Sequence, residues 1–127
     1  MADELALIVD DNEKNTRLAR YVLQLGGFRT LEAATGGEAV TLAVEHVPDV
    51  ILMDIRLPDI DGIEAARQLR EDPRTAGIPL VAVTAFAMKG DREQLLGAGF
   101  DGYIEKPIDV GEFSEQVRDY CARPQRD

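Results

Sequence analysis

The chain of 127 residues has the length of one globular domain, and 45% of its residues are apolar, which is ordinary for a protein with its own core. Its formal net charge of −10 disfavours direct binding to nucleic acid or to an anionic membrane, because either needs a cationic face. No window approaches the ~20 apolar residues of a membrane span, and no basic signal-peptide region opens the chain. The single cysteine excludes an intrachain disulfide, so we expect a cytoplasmic protein.

Short apolar runs alternate with longer segments of helical period along the chain. The runs predict strands at residues 5–9, 28–33, 50–53, 80–83 and near 103–104. The first helix is predicted to start after Asn12, its N-cap, and to end at Gly26-Gly27. The second follows Thr35 and ends near His46, since Pro48 prevents its continuation. The remaining helices are predicted around residues 63–69, at about 91–98 and at 110–121.

Two of the predicted helices carry an apolar stripe at the spacing of a face packed on a core. In the first helix the stripe consists of Leu18, Tyr21, Val22 and Leu25. In the last helix it consists of Val110, Phe113, Val117, Tyr120 and Cys121. We therefore expect Cys121 to be a half-buried, unreactive thiol.

The alternation of strands and helices predicts an α/β fold with a (βα)₅ pattern. Strands that are apolar on both faces and separated by helices form parallel sheets covered on both sides, and right-handed crossovers leave few topologies. From the known folds of this kind we adopt the flavodoxin-like, doubly wound five-stranded sheet with strand order 2-1-3-4-5. Without repeats or linkers, residues 1–127 are predicted to form a single domain, with a polar tail at 123–127.

Polar residues follow the strong strands abruptly. Asp10 and Asp11 follow the first strand, Asp54 the third, Thr84 the fourth and Lys106 the fifth. The carboxyl ends of parallel strands share one edge of the sheet, and ligands bind in the crevice there. We therefore expect the three carboxylates to converge, flanked by the threonine and the lysine.

Three converging carboxylates repel one another, because a pair ~4 Å apart costs about 1 kcal/mol in water and about 4 kcal/mol near a protein surface. A cation, a raised pKa or the ammonium of Lys106 must relieve this repulsion. A divalent ion with oxygen ligands is the simplest relief, and Mg²⁺ typically binds carboxylates, waters and phosphate oxygens together. Such a set indicates phosphoryl transfer, with a carboxylate as the nucleophile and the metal and lysine neutralising phosphoryl charge.

Four segments in the same order and spacing resemble the signature blocks of response-regulator receiver domains of two-component systems. They are LIVDDNEKN, VILMDIRLPDIDG, LVAVTAFAMKGD and YIEKPI, and together they span essentially the whole chain. The third block is most similar to the stand-alone DivK-type cell-cycle receivers and to the receivers of hybrid kinases. Each block alone would be a weak match, whereas four at consistent spacing are a strong one.

The resemblance implies a role for each residue of the expected site. Asp54 is the implied phosphoacceptor. The implied Mg²⁺ ligands are Asp10 (through a water), Asp11, Asp54 and the backbone carbonyl of Arg56. The implied phosphoryl-binding and switch residues are Thr84, Tyr103 and Lys106, and the bond before Pro107 is a candidate for a cis peptide.

The leading hypothesis is a single-domain response regulator. It would accept a phosphoryl group on Asp54 from a phosphohistidine of a histidine kinase or histidine phosphotransfer protein, in a Mg²⁺-dependent reaction, and signal by binding a downstream protein. It would not be a conventional enzyme, since it would catalyse only its own phosphorylation and dephosphorylation. The alternative is a receiver domain excised from a hybrid histidine kinase.

Other functions on the same fold fit less well. A flavodoxin needs a Ser/Thr/Gly-rich loop after the first strand, and a dehalogenase-type phosphatase needs a second acid at position 56, which is arginine. A scaffold with a vestigial site is disfavoured because all five core positions are intact. Residues 59–62 are faintly similar to a calcium loop, but Leu57 and Gln68 stand where an EF-hand needs acids.

Overall fold

Five strands and five helices alternate in the computed structural model, which describes residues 4–57, 59, 62–85 and 89–121. The strands are β1 (Leu5–Val9), β2 (Arg29–Ala33), β3 (Val50–Met53), β4 (Leu80–Thr84) and β5 (Gly102–Glu105). The helices are α1 (Glu13–Leu25), α2 (Gly36–His46), α3 (Gly62–Glu71), α4 (Lys89–Gly97) and α5 (Phe113–Cys121). The predicted tail at 123–127 lies outside the described residues.

All five strands are parallel and form one sheet in the order β2-β1-β3-β4-β5. The predicted flavodoxin-like order is therefore confirmed. β1 lies between β2 and β3, so that Val9 at its end pairs with Ala33 on one side and with Met53 on the other. We call the edge formed by the C-terminal ends of the strands the carboxyl edge, and the opposite edge the amino edge.

The side chains of the central strands alternate between two hydrophobic cores, as the period of two in a strand requires. The core under α2, α3 and α4 takes Leu7, Val9, Ile51, Met53, Leu80 and Ala82 from the sheet. The core under α1 and α5 takes Ala6, Ile8, Val50, Leu52 and Val81. Apolar side chains thus cover both faces of the sheet. None of the helices in the described ranges combines the length and apolar composition that crossing a bilayer requires.

The helix ends follow the local signals of the sequence. The side chain of Asn12 caps α1 by accepting hydrogen bonds from the backbone N–H groups of Lys14 and Asn15. Thr35 caps α2 by accepting from the N–H of Glu38. At the other end of α2, Val47 adopts a left-handed conformation with φ 44°, which is unusual for a β-branched residue. Pro48 follows it, so the helix cannot continue.

The predicted apolar stripe of α1 is wrong. Leu18, Tyr21 and Leu25 are 40%, 60% and 70% exposed, and of the four stripe residues only Val22 is buried. The buried face consists of Thr16, Ala19, Val22 and Leu23. The apolar side chains of this face belong to the same core as the sheet residues, and the hydroxyl of Thr16 is satisfied by donating to the backbone carbonyl of Asn12 at 3.2 Å.

The stripe of α5 is wrong at one position. Val110 is 56% exposed and precedes the helix, which begins at Phe113. Phe113 and Val117 are buried as expected, whereas Tyr120 and Cys121 are partly buried against the same core. The loop after β5 therefore extends farther than the periodicity indicates.

Candidate functional site

The acidic residues of the expected site lie together at the carboxyl edge. Asp10 directly follows β1, and its N–H donates to the carbonyl of Ala33 at 3.0 Å. Asp54 directly follows β3, and its N–H donates to the carbonyl of Val9 at 2.9 Å. Each aspartate thus continues the hydrogen bonding of its strand by one residue, and because β1 and β3 are neighbours, the two side chains emerge side by side.

Asp10, Asp11 and Asp54 form one cluster, in which one carboxylate oxygen of each residue lies within 4.8 Å of the others. Asp10 is 8% exposed and Asp54 is partly buried, whereas Asp11 is exposed. Three oxygen donors at this separation, with one side open to solvent, suit a hard divalent cation that keeps part of its water shell.

Lys106 connects two of these carboxylates. Its ammonium lies 2.9 Å from Oδ2 of Asp10 and 3.0 Å from Oδ2 of Asp54, and its side chain is only 19% exposed. Burial is the largest single influence and by itself would lower the pKa of Lys106, but the hydrogen bonds and the negative charges of Asp10 and Asp54 together raise the pKa above its usual value. The lysine is therefore a fixed positive charge that contacts two of the three clustered carboxylates.

Backbone donors orient the same two carboxylates. Oδ1 of Asp10 accepts a hydrogen bond from the N–H of Asn12 at 2.8 Å, and Oδ1 of Asp54 accepts one from the N–H of Arg56 at 3.1 Å. Each aspartate therefore uses one oxygen to fix its rotamer and directs the other toward Lys106. The loops after β1 and β3 position the carboxylates before any ligand binds.

The other predicted site residues flank this cluster. Thr84 ends β4 and is buried, and its carbonyl accepts a hydrogen bond from the N–H of Lys106 at 2.9 Å. Tyr103 lies on β5 and packs partly buried against the core under α2, α3 and α4. The peptide bond between Lys106 and Pro107 is cis.

An apolar cavity of about 280 Å³ adjoins the cluster between α1 and the start of α5. Asp10, Asn15 and Lys106 are its polar lining residues, and Leu18 and Pro107 are among the apolar residues that line it. Leu18 belongs to the exposed row on α1 together with Tyr21. An apolar surface therefore leads from α1 to the charged cluster.

The role of Asp59 was not predicted from the sequence, where this residue was considered only as part of a calcium loop. Both carboxylate oxygens of Asp59 accept hydrogen bonds from the first turn of α2, at 2.8 Å from Gly36 and 2.9 Å from Gly37. An acid in the loop after β3 and the pair of glycines after Thr35 were the only signals. They are more than twenty residues apart, so nothing local connects them.

The fold and the cluster define a class of protein: a doubly wound α/β domain with an acidic, lysine-bearing crevice at its carboxyl edge. The model of the response regulator receiver domain family matches residues 6–118, and the chain belongs to this family. Members of the family are signalling proteins that typically accept a phosphoryl group on an aspartate.

Individual relatives agree with this assignment. The polar-differentiation response regulator DivK of Brucella ovis is 46% identical over 114 residues, which cover 90% of this chain and 93% of that protein. The similarity predicted to DivK-type receivers is thus confirmed.

Solved structures also match the chain. The receiver domain of the sensor histidine kinase PA1611 from Pseudomonas aeruginosa matches with TM-score 0.88 and 35% identity over 95% of this chain and 99% of that one. That structure contains a magnesium ion coordinated in its active site cleft. The chemotaxis response regulator CheY4 of Vibrio cholerae has the same fold, with TM-score 0.87 and 23% identity over 92% of this chain and 98% of that one.

Proposed function

We propose that this chain accepts a phosphoryl group on Asp54 from a phosphohistidine and acts as a phosphorylation-dependent switch. The observation that carries the proposal is the position of Asp54: its carboxylate contacts the ammonium of Lys106 at 3.0 Å within a cluster of three carboxylates. A lone structural ion pair would not require the two further acids, since like charges at this distance destabilise the fold.

In the proposed reaction a carboxylate oxygen of Asp54 attacks the phosphorus atom of the donor. The new O–P bond forms as the P–N bond to the donor imidazole breaks, and that nitrogen leaves with the electron pair of the broken bond. The ammonium of Lys106 would bind a phosphoryl oxygen and neutralise part of its charge. The hydrogen bond from the N–H of Arg56 would keep the carboxylate aligned during the attack.

Mg²⁺ is the cofactor that this donor set suits. Asp10 (through a water), Asp11, Asp54 and the backbone carbonyl of Arg56 are the residues proposed to hold it. When bound, Mg²⁺ would supply positive charge that offsets the carboxylates and the transferred phosphoryl group. The clustering of the three carboxylate oxygens within 4.8 Å supports this assignment.

Thr84 and Tyr103 are the proposed switch residues. Phosphorylation would draw the hydroxyl of Thr84 toward a phosphoryl oxygen, and Tyr103 would follow inward. The proposal is supported by the partial burial of Tyr103 on the strand next to β4, where it can respond to a change at Thr84. To switch its partner cleanly, the two states must differ in partner affinity by a few kcal/mol.

The proposed partners are a histidine kinase or histidine phosphotransfer protein as donor and a downstream protein as target. The apolar row on α1 beside the cavity supports a protein partner close to Asp54. We propose a stand-alone, cytoplasmic regulator in preference to a receiver of a hybrid kinase, because the similar DivK protein is covered over 93% of its own length. The net charge of −10 makes a protein target more suitable than nucleic acid or a membrane.

The test is the intact mass of the protein after incubation with acetyl phosphate, with and without Mg²⁺. We expect one added phosphoryl group in the wild type, none in Asp54→Asn, and normal modification in Asp119→Asn, which changes an exposed aspartate on α5. Modification that persists in Asp54→Asn, or that does not need Mg²⁺, would contradict the proposal.

A further inference from the structure

Asp59 fastens the loop after β3 to the first turn of α2. Its Oδ1 accepts from the N–H of Gly36 at 2.8 Å and its Oδ2 from the N–H of Gly37 at 2.9 Å. A helix N-terminus attracts anions, because its first N–H groups have no partner within the helix and its dipole is positive there. The carboxylate of Asp59, which belongs to a different segment of the chain, therefore binds favourably to the N-terminus of α2.

Thr35 accepts hydrogen bonds from only some of the backbone N–H groups in the first turn of α2, and Asp59 accepts from others. The side chain of Thr35 accepts from the N–H of Glu38 at 3.1 Å, and its carbonyl accepts from the N–H of Ala39 at 3.0 Å. The N–H groups of Gly36 and Gly37 are the two donors that precede these, and Asp59 accepts from both. The cap of α2 is thus shared between a local residue and one that is 23 positions away from Gly36.

The loop that Asp59 fastens carries the backbone of Arg56. At its start the N–H of Arg56 is bound to Asp54, and at its end the N–H of Gly62 donates to the carbonyl of Ile55 at 2.7 Å. A Cβ at Gly62 would lie 2.8 Å from the carbonyl oxygen of Asp54, so the chain passes very close to itself there. Asp59 is a third attachment, three residues beyond Arg56 in the sequence.

We propose that Asp59 is a positioning residue for the metal site: by holding the loop against α2, it places the carbonyl of Arg56 for binding of Mg²⁺. This inference rests on the proposed function, in which that carbonyl is a ligand. A backbone carbonyl cannot select a rotamer as a side chain does, so its position depends on the conformation of the loop around it. Residues that orient a ligand without touching the metal affect its affinity for this reason.

A purely structural role as a helix cap makes a different prediction. In that case any loss of the cap of α2 should have the same consequences, whichever residue supplies it. Thr35 provides a matched control, since it caps the same helix end but does not belong to the loop after β3. Thr35→Ala and Asp59→Ala should both loosen the start of α2, and only Asp59→Ala should release the loop.

The experiment is a titration of the full chain with Mg²⁺ alone, followed by the chemical shifts of backbone amides. We expect Asp59→Ala to weaken Mg²⁺ binding roughly tenfold, at the lower end of the effect of removing an orienting partner. Asp59→Asn keeps one acceptor oxygen and should lie between Asp59→Ala and the wild type. Thr35→Ala should bind Mg²⁺ as the wild type does, although its helix is less stable.

Hydrogen exchange without Mg²⁺ gives a second readout. The amide of Arg56 should exchange faster in Asp59→Ala and remain unchanged in Thr35→Ala. Wild-type Mg²⁺ affinity in Asp59→Ala, or an equal loss in Thr35→Ala, would overturn the inference. If the wild type itself bound no Mg²⁺ and took up no phosphoryl group, the proposed function would fail instead, and the role of Asp59 at the metal would fail with it.

Discussion

Two buried charge clusters at opposite edges of the sheet differ in composition far more than in burial. At the carboxyl edge the side chain of Lys106 is 19% exposed, and the side chains of its partners Asp10 and Asp54 are 7% and 14% exposed. At the amino edge Arg70 and Asp101 form an ion pair at 2.9 Å and are 15% and 16% exposed. Burial therefore does not distinguish the proposed functional cluster from the structural one in this protein.

The two clusters differ in how completely their charged groups are balanced by opposite charges and hydrogen-bond partners. The guanidinium of Arg70 donates to Asp101 and to the carbonyls of Ala76, Ile78 and Gly99, at 2.7–2.9 Å. Asp101 also accepts from the N–H of Leu80 at 2.8 Å. The positive charge of Arg70 and the negative charge of Asp101 therefore balance within this cluster. The planar fork of arginine suits such a closed arrangement, which connects α3 to the starts of β4 and β5.

At the carboxyl edge the ammonium of Lys106 contacts Asp10 and Asp54, and Asp11 is a third carboxylate beside them. These four residues together carry a net negative charge, which favours the binding of a cation. This excess costs stability, as functional sites commonly do. The comparison indicates that an ion cluster with unmatched charge is a better sign of function than a buried ion pair alone.

The largest effect is expected at the amino edge. Arg70→Met should lower the free energy of unfolding by about 3–5 kcal/mol, because it leaves Asp101 as a buried charge without its cation. Urea denaturation measures this loss, and Mg²⁺ affinity should not change. Arg67→Met is the control: Arg67 pairs with Glu64 and Glu71 on the exposed side of the same helix, where ion pairs contribute at most about 1 kcal/mol. If the two variants lowered the free energy of unfolding equally, the ion pair of Arg70 and Asp101 would not have the structural role that we assign to it.

A smaller effect of opposite sign is expected at the carboxyl edge. Asp54→Asn should raise the free energy of unfolding by about 1 kcal/mol in metal-free buffer, because it removes one of three repelling carboxylates. Saturating Mg²⁺ should then stabilise the wild type more than the variant. Asp101→Asn, which removes a balanced carboxylate, should destabilise the protein with and without Mg²⁺. If Asp54→Asn instead lowered the free energy of unfolding in metal-free buffer, the charges of this cluster would be as well balanced as those of Arg70 and Asp101.

The last prediction concerns the chemical reactivity of Cys121, which lies toward the amino edge, and involves neither the stability nor the proposed site. Burial, with the nearby charges of Glu4 and Asp49, raises the pKa of its thiol to about 12. The folded protein should therefore react with iodoacetamide at pH 8 at least roughly a hundredfold more slowly than the urea-unfolded protein, since the thiolate is the nucleophile. The rate of the folded protein should rise with pH up to about 12. Rapid alkylation of the folded protein would show that reactivity is not confined to the carboxyl edge.

Much of the fold and site could be predicted because the relevant signals are local. Short apolar runs that end at Asp10, Asp54 or Thr84 identify the strands and their polar ends without any knowledge of the fold. A general property of parallel sheets then brings these ends to one edge. The side chains of Asn12 and Thr35 likewise cap the helices that they precede. The strand order itself was adopted from known folds of this kind. The pairing of β1 with both β2 and β3 confirms that order.

The tertiary structure alone decided which helix face is buried and which distant groups meet. Helical period allows more than one apolar face on α1, and packing on the sheet selected Ala19 and Leu23 over Leu18 and Leu25. The hydrogen bonds of Asp59 to α2 and of Arg70 to Asp101 join residues 22–31 positions apart. The amino-acid sequence determines the local elements and the chemistry at their ends, because both depend on neighbouring residues. Contacts across the fold depend on how the finished elements pack, so only the three-dimensional structure could reveal them.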